Sequence, residues 1–160
     1  MNQTVTYVNI MQESLVRKKN YLTEIWELTK EQERIAHEKK FDEEAFGEII
    51  DKKEILINNV NEIDKGFTSL YDKVRTEVLE NKELYAVQLK AMQSLIKECV
   101  DMGMQIEVLE ERNRAALEQA FSVGFKGVRR AKQSKKVANK YYKSMSNGMV
   151  NDSILYDRKK

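Results

Sequence analysis

The sequence predicts an all-α fold: an elongated antiparallel bundle of three long helices, followed by a short basic C-terminal helix or tail. Three observations lead there. The 160 residues contain no proline and only six glycines, where average usage of about 5% proline would supply about eight, which argues against folds built on many tight turns. Charged residues make up 34% and apolar residues 41% of the chain, a mixture that suits apolar stripes on solvated helices better than a thick globular core. Apolar residues also recur at the three- and four-residue spacing of one helix face through most of the chain before Gly124.

The first helix is predicted over about 4–39, where Val8, Met11, Leu15, Leu22, Ile25 and Ile35 fall near one stripe. Lys18, Thr29 and Gln32 interrupt that stripe, so this seam is expected to be partly wet. The second helix, about 42–79, has a clear start. Asp42 is placed as N-cap, Glu43 and Glu44 as first-turn acids, and Phe41 and Phe46 as a hydrophobic staple. Its seam runs Phe46, Ile49, Lys53, Leu56, Val60, Ile63, Phe67, Leu70, Val74, with every residue except Lys53 expected to face a partner. Gly66 costs roughly 1 kcal/mol relative to alanine inside a helix, which so regular a seam absorbs.

Glu80–Glu83 carries no seam residue and contains Asn81, which can cap, so a turn is expected there. A third helix over about 83–122 carries Tyr85, Leu89, Met92, Leu95, Ile96, Cys99, Met102, Ile106, Leu109, Ala116 and Ala120. Gly124 and Gly127 loosen or end it, and Ser146-Asn147-Gly148 marks a second stop, with a mobile tail expected after Met145. At ~1.5 Å per residue such helices reach on the order of 55 Å and bury their stripes only against each other, with left-handed low-angle packing.

Charge divides the chain in two. Residues 1–125 hold 17 Lys/Arg and 24 Asp/Glu, a net of −7, whereas residues 126–160 hold 11 Lys/Arg and 2 Asp, a net of +9. No acidic residue lies between Glu118 and Asp152. The predicted organisation is therefore an acidic helical bundle over 1–125 and a basic segment over 126–160. Interleaved with the cations are Val128, Ala131, Val137, Ala138, Tyr141, Tyr142 and Met145, an apolar strip if the segment is helical on a partner. Three readings stand: a basic tail, solvated or folded onto the acidic body; a partner-binding segment; and a nucleic-acid or anionic-membrane contact. For nucleic acid there is no RNP motif, zinc finger or helix-turn-helix pattern.

Catalytic apparatus is not visible. The chain has no phosphate-cradling glycine loop, GxSxG elbow, HExxH or EF-hand loop, and its single cysteine and single histidine, Cys99 and His37, exclude disulfide frameworks and Cys- or His-rich metal sites. A non-enzyme without cofactor, metal or small-molecule substrate is expected. Glu43 with Glu44, and Glu110 with Glu111, read as capping and surface charges rather than acid/base pairs. Cys99 reads as a small core hydrophobe and His37 as a partly exposed last-turn residue, while Trp26 either widens the core face or anchors a partner. Met92, Met102 and Met104 read first as core. The start MNQTVTYVNIMQESLV lacks a basic n-region followed by an apolar run, and no uncharged stretch approaches the ~20 residues of a membrane span, so a cytoplasmic location is expected.

Three segments resemble a known family. The run from Glu48 through Lys53 and Ile57 to Val60, continuing through Ile63-Asp64-Lys65-Gly66-Phe67, is similar to the middle of FlgN-like flagellar export chaperones. Leu22, Ile25 and Leu28, and the later run Ala131–Tyr142, fit the same family, so the resemblance covers most of residues 8–145. It implies an all-helical cytoplasmic chaperone that binds the terminal helical regions of flagellar hook–filament junction (hook-associated) proteins. Such a chaperone delivers them to the type III export gate, touching the membrane only through that apparatus. On this reading Val128, Ala131, Val137, Ala138 and Met145 contact the client. The resemblance further implies that Tyr141 or Tyr142 contacts the export gate. A FliT-like chaperone would show similar patterns. The alternative is a structural coiled-coil adaptor without a secretion client, a homodimer paired through the Phe46–Val74 seam.

Overall fold

The computed structural model describes residues 3–120 and contains three α-helices: α1 (Gln3–Ala36), α2 (Glu43–Glu80) and α3 (Ala86–Ala120). The all-α three-helix architecture is as the periodicity predicts. The basic 126–160 segment lies outside the described residues, and so do all seven residues assigned to client and gate contact.

Each boundary has a local cause. α1 stops at Ala36, three residues before the sequence pattern suggests, where the backbone tightens: the His37 amide is shared between the Glu33 and Arg34 carbonyls (3.2 Å each) and Glu38 N–H donates to Ile35 O at 3.2 Å. Tightening of this kind satisfies last-turn carbonyls. The start of α2 matches its prediction in detail. Asp42 Oδ1 accepts from Ala45 N–H at 3.0 Å, and the Phe41 and Phe46 rings meet in a tilted contact, 5.5 Å between centroids. Asn81 ends α2 as its C-cap, with Nδ2 donating to Glu77 O at 2.9 Å. Residues 81–85 then form the turn before α3, through Leu84 N–H to Asn81 O at 2.9 Å. The helix passes through Gly66 without a break, and a Cβ there would meet no atom within 4 Å.

α1 packs along both neighbours, antiparallel to α2 and parallel to α3, whereas the Cα atoms of α2 and α3 nowhere come within 8 Å of each other. Side chains fill the space between them in three apolar blocks. The first joins Val8, Met11 and Leu15 to Phe67, Tyr71 and Val74 of α2 and to Met92 and Ile96 of α3. The middle block joins Leu22, Ile25, Ile57, Val60, Cys99 and Ile106. The third, beside the 37–42 turn, joins Ile35, Ala36, Phe46, Ile49, Ile50 and Leu117.

Polar residues separate the blocks, and here the structure corrects the sequence. Lys18, Thr29 and Gln32, expected to wet the α1 seam, are 0%, 0% and 3% exposed. Lys18 Nζ lies 2.7 Å from Asp64 Oδ1 of α2, between the first and second blocks. Between the second and third, Lys53 Nζ donates to Gln32 Oε1 at 2.7 Å and to Glu110 Oε2 at 2.8 Å. Asn113 Nδ2 donates to Thr29 O at 3.2 Å beside them. Lys53 therefore faces the core it was predicted to avoid, and Glu110, expected at the surface, is 3% exposed. The stripe survives because each buried charge has an opposite charge or amide within hydrogen-bond reach, the condition under which burial of a charge is tolerated. The α2 seam also drifts from its strict alternation. Ile57 and Tyr71 are buried where Leu56 and Leu70 were expected, and the latter two are half-buried.

Candidate functional site

Among the described residues the chemistry-bearing side chains are mostly spent on structure. No group of three or more His, Cys, Asp or Glu there is arranged to hold a metal ion, and no described helix is long and apolar enough to cross a membrane. Cys99 is fully buried, and its Sγ lies 4.0 Å from the Leu15 carbonyl. Burial pushes its thiol up to about 11, against the weaker pull of nearby Lys18. That is the inert core cysteine expected from its place on the stripe.

The polar layer around Lys53 is enclosed within the bundle. Its partners come from all three helices, Gln32 of α1, Lys53 of α2 and Glu110 of α3, so it ties the register of α2 and α3 to that of α1. The signal for it was present in the sequence. Cys99, Gly103, Ile106, Glu110, Asn113 and Leu117 continue one four-three spacing, which places Glu110 and Asn113 on the buried stripe whatever their polarity.

A surface cleft of about 500 Å³ lies between α1 and α3 near the 37–42 turn. Ala36, Ala115 and Ala116 supply short apolar side chains to it, and Glu33, His37 and Arg112 supply its polar lining. Arg112 and Glu33 form an ion pair between the two helices. His37 is exposed, as expected, and its Nδ1 sits 2.8 Å from Glu33 O, a bond in which the ring nitrogen must donate because a carbonyl only accepts. No Ser, Thr, Cys or Lys is among its described lining residues, and its short alanine side chains leave room for a larger one.

Two further surface features stand out. Trp26 is half-buried against the middle block, with Lys30 Nζ 4.8 Å from its ring centroid, so it widens the core face while keeping one edge in solvent. Leu84, in the turn before α3, and Val87, in its first turn, are 67% and 80% exposed. Of the three α3 methionines, Met92 is core, Met102 half-buried and Met104 exposed. Comparison with known protein families, characterised proteins and solved structures yields no match to this chain.

Proposed function

We propose that the protein is a non-enzymatic export chaperone, located in the cytoplasm, that covers the terminal helical regions of flagellar hook–filament junction proteins and hands them to the type III export gate. The observation that carries this reading is the division of the chain. A helical rod of net charge −7 continues into a +9 segment whose cations alternate with apolar residues. The resemblance of residues 22–28, 48–67 and 131–142 to FlgN-like chaperones supports it.

The physical task is plain. Unassembled junction proteins expose amphipathic ends that associate prematurely, and a second amphipathic segment covers them by packing stripe against stripe. In this reading Val128, Ala131, Val137, Ala138 and Met145 meet the client, and Tyr141 or Tyr142 meets the gate. The rod's own stripes are occupied: Phe46, Ile49, Val60, Ile63, Phe67 and Val74 are buried within one chain. The seam required by the homodimeric adaptor reading is therefore already covered.

Co-purification with a flagellar junction protein tests the proposal. The full chain is expected to retain the client, and a chain ending at Gly124 to lose it while keeping its helical content. Equal retention by both would remove the C-terminal segment as the client site.

A further inference from the structure

Negative charge is concentrated at one end of the bundle. The contacts Leu15–Cys99, Thr29–Asn113 and Lys53–Glu110 set the register, by which residues 27–54 and 107–118 occupy the end with the 37–42 turn. Those residues carry 14 Asp/Glu against 8 Lys/Arg, a net of −6, and the rest of the described bundle contributes only −1. The described part of α3 reaches Ala120 on this same end, and the sequence continues from there into its +9 segment.

The α1/α3 cleft opens at that end. Its alanines leave space that a bulkier apolar side chain can fill, its own Glu33 and Arg112 pair with each other, and the excess negative charge is that of the bundle end as a whole. The matching ligand is a peptide with large apolar side chains set between cations. Residues 126–145 have this composition, with Val137, Tyr141, Tyr142 and Met145 among Lys132, Lys135, Lys136, Lys140 and Lys143.

We infer that the cleft is the seat of this chain's own 126–145 segment, folded back from Ala120. Reach permits it. Ala115 and Ala116 are about one helical turn from Ala120, on the order of 7 Å, whereas residues 121–125 span up to about 17 Å when extended. Covalent attachment also makes the partner's effective concentration millimolar in order of magnitude, so individually weak ion pairs and one filled apolar pocket suffice to hold it. The seat follows from charge and shape alone and holds whether or not the same segment contacts a client.

The test is a photo-crosslinking residue placed at Ala115 of the full chain, with a second chain carrying it at Val87 on the opposite end. Irradiation of the Ala115 chain is expected to join position 115 to peptides from 126–145 within a single chain. The yield should drop at least about fivefold between about 0.05 M and about 1 M salt, as the screening length shrinks to about 3 Å. Replacing Lys132, Lys135, Lys136 and Lys140 with glutamine is expected to lower the yield comparably at low salt. Crosslinks confined to α1, crosslinks only between two chains, or equal capture from Val87 would each overturn the inference.

Discussion

Burial of Cys99 makes stability depend on pH on the alkaline side. Its thiol moves from an ordinary 9.0 to about 11 in the folded chain because the thiolate loses its hydration. Between those values the unfolded chain has released the proton and the folded chain has kept it, so stability is full below about pH 9 and is lost as pH rises toward 11. The unfolding free energy of the native chain, read from denaturant titrations, is expected to fall over this window by up to about 1.4 kcal/mol per pH unit. A Cys99→Ala chain should lack that component of the slope. An identical slope in both would show that the thiol does not titrate as the burial requires.

Lys53 and Glu110 give a second outcome at the same scale. Removing one partner strands the other charge in the core, a loss of about 3–5 kcal/mol, whereas replacing both with apolar residues of similar size is close to neutral. In urea unfolding, Lys53→Met and Glu110→Met are each expected to be strongly destabilised, and the double variant to recover most of the loss. Additive losses would mean that the two groups act independently. These residues also mark where sequence reading stopped. Lys53 and Glu110 occupy stripe positions, but each is unfavourable inside a core taken alone, and only the three-helix register brings them to 2.8 Å. A single helix stripe cannot disclose a partner on another helix.

Helix identity and order are much more legible, because they rest on local signals. The start of α2 follows from Phe41, Asp42 and Phe46, all within one turn, and the cap and staple form as those residues dictate. Asp42→Ala is expected to cost about 1 kcal/mol and to speed amide exchange in the first turn of α2, with the α3 amides unaffected. No change in midpoint would remove the cap's role. Ends without such signals were harder to place. The α1 terminus depends on a tightening at Glu33–Glu38 that no residue type announces, and the cleft depends on how the ends of α1 and α3 lie side by side, with Ala36 and Ala115 nearly eighty residues apart. The candidate client and gate residues were read from composition and resemblance, and they lie beyond the described helices.

For the whole molecule, the arrangement in which the backbone of α1 lies against both neighbours while α2 and α3 meet only through their side chains has a mechanical corollary. α1 serves as a spine carrying two leaves, so damage is unequal according to where it falls. A proline inside a helix costs about 3 kcal/mol and disrupts the ladder around it. Glu24 and Gln105 are both exposed, on α1 and α3 respectively, so neither substitution removes a core side chain. Glu24→Pro is expected to loosen both leaves together, with fast amide exchange throughout. Gln105→Pro is expected to loosen α3 first, with the slowest exchange remaining in the α1–α2 pair, itself weakened by the loss of Glu110 beside Lys53. The helix that leads to the cationic end is thus the first to give way, and α1 the last.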